Sequence, residues 1–326
     1  MSTSLIYDLL RQYGLATMIM EASDNVASDA YEGWFEDRFS MISCAKVLLS
    51  YYSEMNYYSH VMTPLGVFTQ HFIDKPRISF IPKNVDQLRK TSHTNLIKEI
   101  RKRSCVPFRV WGLTEKGLMN IDYWRKGIYT ATKHTEALLN VKDLIQMNSS
   151  KYKNLRYSVK RFEKCQNFAM RSLADISRLE INYLIDKWKE IKSEQTTNYK
   201  AYGINKRVPL AVGMYKECIN AGGIGYGIYY EGRIVGLVQG FIDIFNRAYL
   251  TTNIYYSEDK AVDKYEIGII MPVYFAILCR SENVKVINFG DYSKMNNHVK
   301  AAKDKLRPQI IPVYTLETSK QWKIDT

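Results

Sequence analysis

The second half of the chain carries the clearest alternation of apolar and polar positions. In KYKNLRYSVKRFEK (151–164), Tyr152, Leu155, Val159 and Phe162 recur at helical steps, and Lys153, Arg156, Lys160 and Lys164 fall largely on another face. The same period over 174–194 aligns Ile181, Leu184, Trp188 and Ile191 and predicts a second helix. A third is expected over 208–220, stopped by Ala221-Gly222-Gly223. The period then shortens. GIGYGIYY (223–230) and RIVGLVQGFIDIF (233–245) flank Glu231-Gly232, a two-residue hairpin signal, and Asn246-Arg247 turns the chain into AYLTTNIYY (248–256). These segments predict a three-stranded antiparallel meander. An apolar helix over roughly 266–281, a strand VKVINF (284–289), a basic helix near 294–305 and a last strand IIPVYTLE (310–317) follow.

The first half is less regular. A helical opening is expected over 4–20, then YEGWFEDRFSMISCAKVLLSYYSE as either two aromatic-rich strands or a helix and a strand. VMTPLGVF turns at Pro64-Leu65-Gly66, and a basic helix, NVDQLRKTSHTNLIKEIRKRS, precedes the strand VPFRVWGL. No clear internal sequence repeat is visible. Helices, a meander and a β-α-β segment make a mixed sheet with helices on its faces, an α/β (α+β) architecture.

The 326 residues suffice for two ordinary domains. With no Gly/Ser/Pro-rich linker, the expected division is 1–140 and 141–326, the halves packing tightly. The formal charge of +13 favours polyanionic partners: RNA, phosphorylated cofactors or an anionic membrane surface. Two basic runs carry much of it: Lys153, Arg156, Lys160, Arg161 and Lys164, and Arg89, Lys90, Lys98, Arg101, Lys102 and Arg103. Five scattered cysteines without a C-x-x-C pair argue against a disulfide framework or zinc site. His60, His71, His93, His134 and His298 have no metal-ligand spacing, so no metal is assigned. With no basic n-region and no apolar run near the roughly 20 residues that span a bilayer, a cytoplasmic protein is expected.

Three stretches resemble the tandem GNAT (N-acetyltransferase-type) fold of phosphatidylglycerol lysyltransferase C-terminal domains and, more distantly, the Fem-type aminoacyltransferases. They are ALLNVKDLIQMNSSKYKNLRYSVKRFEK (137–164), INFGDYSKMNNHVKAAKDKLRPQIIPVY (287–314) and, more weakly, AYEGWFEDRFSMISCAKVLLSYYSE with MTPLG (30–66). The resemblance implies two tandem GNAT-like domains and transfer of an acyl or aminoacyl group. It places the donor where AYLTTNIYY and VKVINF splay apart. Members that use acetyl-CoA cradle its pyrophosphate on a Q/R-x-x-G-x-G/A loop at a helix start, where backbone N–H groups are unpaired. Here that position is DKYEIGII, with one glycine, Gly268, and Ile270 where a second small residue would sit. The departure favours aminoacyl-tRNA over acyl-CoA as the donor cosubstrate, with no permanently bound cofactor. Lys264, Gly268, Asn288 and Lys300 are the candidate donor-binding residues.

Four residues are candidates for the chemistry. Lys303 either steadies phosphate or a developing oxyanion, or is a solvated lysine beside Lys300 and Lys305. Asp291 could orient or deprotonate an attacking amine and Tyr292 could protonate a leaving group, the alternative being that Asp291 caps the next helix. Glu266 either binds an acceptor ammonium or caps the helix that follows it. The acceptor, a small molecule or a lipid reached by peripheral membrane contact, is not specified by the residues. A non-catalytic polyanion-binding module on the same scaffold is the competing reading.

Overall fold

The computed structural model describes residues 58–71, 77–83, 108–119, 129–194, 222–256, 260–292 and 297–318, together with isolated positions before residue 58. The strands predicted in the second half are present. They are β8 (Ile224–Tyr230), β9 (Arg233–Ile242), β10 (Ala248–Tyr255), β11 (Val286–Asp291) and β12 (Gln309–Thr318). The β8–β9 turn places Glu231 and Gly232 at φ 50° and 81°, the left-handed pair that a two-residue hairpin needs. β9 stops at Ile242 rather than 245. Asp243 accepts the N–H groups of Phe245 and Arg247 and bonds the Arg247 guanidinium and the Tyr249 hydroxyl, which closes the turn into β10.

Of the first half, the structure describes β1 (Met18–Ile19), β2 (Tyr58–Thr63), β3 (Gly66–His71), β4 (Arg77–Pro82) and β5 (Phe108–Leu113). The Pro64-Leu65-Gly66 turn joins β2 to β3 as expected. Met18–Ile19 pairs with β2, so the opening helix cannot run to residue 20. In the stretch read as strands or as helix plus strand, the described positions Tyr31, Lys46 and Val47 are helical. The basic helix over 84–104 and the helix over 208–220 lie outside the described residues. Besides β1, three described strands have no counterpart in the sequence reading: β4, β6 (Tyr129–Asn140) and β7 (Phe168–Ser172). In β6 an outward row of Thr, Lys and His hides the alternation that Ala137 and Leu139 carry.

The described helices are α1 (Glu115–Met119), α2 (Val141–Gln146), α3 (Lys153–Glu163), α4 (Arg178–Glu194), α5 (Lys260–Asp263), α6 (Ile267–Ser281) and α7 (Asn297–Lys305). α3 buries Leu155, Ser158 and Phe162, close to the expected stripe. α6 rests on the sheet over Gly236 and Gly240, where an added Cβ would come within 2.9 Å of Met271 Sδ and 2.8 Å of Phe275 Cζ. The odd-numbered β9 residues, Leu237, Gln239 and Phe241, therefore face away from α6.

The twelve strands among the described residues form one sheet in the order β1-β2-β3-β4-β5-β12-β6-β11-β10-β9-β8-β7. Its centre is an exchange. β6, which follows the first-half strands, pairs with β11, and the final strand β12 pairs with β5. β6 and β12 pair with each other along their length. On either side stands a parallel pair, β4 with β5 and β10 with β11, followed by an antiparallel meander. The sheet is thus a structural duplication. Asp291 pairs with Glu136 and Leu113 with Tyr314, and the offset is 178 residues in both (291 against 113, 314 against 136). The irregularity in each ladder falls at the matching place, and the glycine inside it, Gly112 or Gly290, has φ 69° or 71°. This is a mixed α/β sheet of two matching halves, as expected from the sequence, and the boundary proposed at 140/141 falls between β6 and α2.

Candidate active site

β10 and β11 share only two paired positions, Ala248 with Ile287 and Tyr249 with Asn288. Past them the strands part, as expected for AYLTTNIYY and VKVINF. On the β11 bank the left-handed turn at Gly290 shifts the register and sets Asp291 opposite Glu136 of β6.

Glu136 is the residue that the sequence did not disclose. Its Oε2 accepts the Asn288 side-chain N–H at 2.7 Å and the Met41 backbone N–H at 3.0 Å. Burial pushes its carboxyl up to about 7, against the lowering effect of those two hydrogen bonds; Asp291 adds to the rise and Lys303 opposes it. No local pattern marks it, because its neighbours 131–135 alternate Ala, Thr, Lys, His and Thr.

Lys303 is buried, not solvated. Its ammonium donates to the carbonyls of Phe289 at 2.5 Å and Asp291 at 3.0 Å and lies 4.2 Å from the Phe289 ring centroid. Burial pulls it down to about 8 while Asp291 and Glu136 hold it up. An ammonium has three N–H groups, so two bonds leave one to donate. Three charged groups from β6, β11 and α7 thus meet where the parallel pair opens.

The other predicted residues fall around this centre in different roles. Asn288 is fully buried and engaged within the protein: Nδ2 donates to Glu136 and, at 3.4 Å, to the Phe39 carbonyl, while Oδ1 accepts the Gly290 N–H at 2.8 Å. It fixes the turn rather than offering free groups to a donor. Tyr292 donates its backbone N–H to Thr135 and its hydroxyl to Asp304 at 2.5 Å, a bond that holds the phenol above its ordinary value. Lys300 is exposed and lies 5.0 Å from the Tyr292 ring centroid.

Glu266 belongs to a separate cluster. It is the N-cap residue of α6, at φ 53°, but its side chain makes no capping bond. Its carboxylate accepts the Ser158 hydroxyl and pairs with Lys305 and, at 3.8 Å, with Arg161. Despite partial burial, those partners hold it below the usual carboxylate range. It ties α3, α6 and α7 together, so the capping role expected of it is replaced by bridging.

Gly268 is explained by packing: an added Cβ would lie 2.3 Å from Cε1 of Tyr255. Its carbonyl would bond residue 272 of the helix, but Pro272 has no N–H, and the Asn253 side chain donates to it instead at 3.1 Å. Lys264 is exposed, 5.0 Å from the Tyr265 ring centroid. The helix start that would hold a pyrophosphate thus carries a carboxylate and a tyrosine ring.

The predicted basic face is real on α3. Lys153, Lys160 and Lys164 are exposed, whereas Arg156 donates to the carbonyls of Met147 and Ser149. Arg307, bonded to the Lys151 carbonyl, and Lys305, bonded to Glu266, bring exposed cations from the α7 side against it. Tyr157 stands 69% exposed within this surface. Among the described residues no helix is long and apolar enough to cross a membrane, and none cluster as metal ligands.

No family model matches the chain, and no curated protein matches it by sequence. Solved structures do match. A conserved protein of unknown function from Bacteroides thetaiotaomicron has TM-score 0.73 at 13% identity, over 94% of this chain and 100% of its own. FemX has TM-score 0.63 at 7% identity, over 92% and 96%. The C-terminal domain of a lysylphosphatidylglycerol synthetase from Agrobacterium fabrum has TM-score 0.58 at 10% identity, over 92% and 93%. The TM-scores and coverage show a shared fold: the chain has the tandem GNAT-like architecture of these structures, the relationship that its sequence motifs suggested.

Proposed function

We propose that the chain is an acyltransferase that moves an aminoacyl group from aminoacyl-tRNA to an amine or hydroxyl acceptor. The observation that carries this reading is the meeting of Glu136, Asp291 and buried Lys303 where β10 and β11 part. The acceptor nitrogen attacks the ester carbonyl carbon of the donor. A C–N bond forms, the ester C–O bond to the ribose breaks, the amine proton passes to the Glu136 carboxylate, and Glu136 returns that proton to the ribose oxygen, which leaves as a hydroxyl. The third N–H of Lys303 faces the oxyanion of the tetrahedral stage, and Asp291 orients the incoming amine. Asn288 and Tyr292 hold β11 and α7 in place. No enzyme nucleophile is needed; positioning supplies much of the rate.

The RNA donor is favoured over acyl-CoA by two features of the surface. The start of α6 bears Glu266 where a pyrophosphate would need a positive helix end. The exposed cations of α3, with Lys151, Lys305 and Arg307 beside them, form a face suited to a phosphate backbone.

Titration with charged tRNA, uncharged tRNA, CoA and acetyl-CoA at two salt concentrations tests the choice. Tighter binding of charged tRNA is expected. Replacing Lys153, Lys160 and Lys164 with Gln should lower the slope of log affinity against log salt by roughly 2–3. Saturable CoA binding without tRNA preference overturns the donor. Salt-sensitive binding that ignores the aminoacyl group leaves a polyanion-binding module.

A further inference from the structure

On the β9–β10 side of the opening lies a polar pair that the proposed chemistry leaves unused. Gln239 of β9 and Thr252 of β10 stand opposite each other, and both are buried, Gln239 completely. The Gln239 Nε2 donates to Thr252 Oγ1 at 2.9 Å. The other half of the amide, Oε1, is buried and has no hydrogen-bond partner among the described residues. A buried carbonyl oxygen left unpaired is costly, so such groups are uncommon and a partner is expected when the site is in use.

The pair shares a face with the charged cluster. Phe241, two residues after Gln239, is the register partner of Tyr249, whose ring meets Phe39 edge-on at 5.2 Å. Tyr249 pairs with Asn288, which bonds the Phe39 carbonyl and Glu136. One face of the sheet therefore carries Gln239, Thr252, Asn288 and Glu136, with Asn288 level with Tyr249 rather than with Thr252. Thr252 lies three residues beyond Tyr249, as Asp291 lies three beyond Asn288. The two lie on opposite banks, Thr252 buried and Asp291 exposed.

We infer that Gln239 and Thr252 form a recognition subsite for a hydroxyl or amide N–H of the acceptor, separate from its reacting amine. The chemistry of the pair is neutral. A carboxamide oxygen and a hydroxyl suit an uncharged donor, and an ammonium buried here would lack the counter-charge that Asp291 and Glu136 supply on the other bank. The acceptor class is thus a hydroxylated or amide-bearing amine. This inference rests on the transferase reading for the word acceptor, while the binding itself is measured without donor.

The first test is thermal unfolding of the full chain as Gln239→Leu and Thr252→Val, without ligand. For a subsite with an unpaired oxygen, Gln239→Leu leaves the melting temperature unchanged or raises it, since a polar atom without a partner is removed. A marked fall shows a structural network and overturns the proposal. The second is thermal shift with millimolar glucosamine, ethanolamine and propylamine. A hydroxylated amine should stabilise the wild type, propylamine should not, and the effect should fall at least threefold in either variant. Equal shifts in wild type and variants, or no shift with either hydroxylated amine, overturn it. Retained transfer to an amine with altered shifts would leave the function standing, and lost transfer with intact shifts would leave the subsite standing.

Discussion

The two ends of the structural duplication are built alike and furnished differently. At the second-half end, Asn288 and Asp291 of β11 face Glu136 of β6, and Lys303 closes the site. At the first-half end the same positions are Val110 and Leu113 of β5, with Tyr314 of β12, and both Val110 and Leu113 are buried apolar residues. The backbone device is common to both: a parallel pair that opens, a ladder irregularity, a glycine near φ 70°. Geometry alone therefore does not make the site. Carboxylates at two positions of a shared frame, where the other end has Leu113 and Tyr314, distinguish the end that carries the proposed site.

The largest effect that would sharpen this contrast is expected from Lys303→Met, which removes the buried ammonium. Transfer should fall about 10²–10³-fold, the usual range for loss of one oxyanion donor. Tyr314→Phe at the first-half end should change the rate less than about twofold. A comparable loss at both ends, measured as kcat/KM, would break the assignment.

Glu136→Gln comes next, with a fall of about 10²-fold or more if the carboxylate takes the proton. In the wild type the rate should rise as Glu136 ionises near pH 7 and fall as Lys303 loses its proton near pH 8. The variant should lose the rising limb. Its stability also has a sign. The folded carboxyl titrates above its ordinary value of 4.5, so the protein holds the extra proton more tightly when folded. That contribution is complete below about pH 4.5 and is lost as pH rises through 7. Above pH 7 the Gln variant should therefore melt higher than the wild type, by a few degrees at most, roughly 2–4 °C per kcal/mol for a chain of this size. A lower melting temperature at pH 8 would show that the charge is compensated better than its burial implies.

The smallest and most symmetrical effect is expected at the glycines. Gly112→Ala and Gly290→Ala each place a Cβ at left-handed φ and should each cost about 1–2 kcal/mol in chemical denaturation. Room is not the obstacle at Gly290, whose nearest neighbour would be Met41 at 3.8 Å. Only Gly290→Ala should also lower kcat/KM, because only that turn sets a charged residue into the opening.

Much of this could be foreseen where local chemistry writes a signal. The meander from β8 to β10 follows from alternation and from Glu231-Gly232; β11 and β12 follow from period changes that match their bounds within two residues, and α7 ends at the expected residue 305. Asp291 and Lys303 were legible because they sit in a motif. Glu136 was not, since its meaning comes from a partner strand more than 150 residues away and its own strand is masked by polar outward positions. The duplication was equally hidden: an offset of 178 residues preserved the register and the glycine but not the side chains around it.

The sequence by itself determined the order of strands and main helices from β8 to β12, the hairpin turns, the basic face of α3 and the glycine without a second small residue at the start of α6, because each depends on neighbours within a few positions. Tertiary structure decided the rest. It exchanged β6 and β12 between the halves, buried Lys303 against the β11 carbonyls, moved Glu266 into a bridge among three helices and raised Glu136 by removing it from water. Burial and cross-strand pairing are properties of the folded arrangement, so the charge state and partner of each of these residues exist only once distant strands have met.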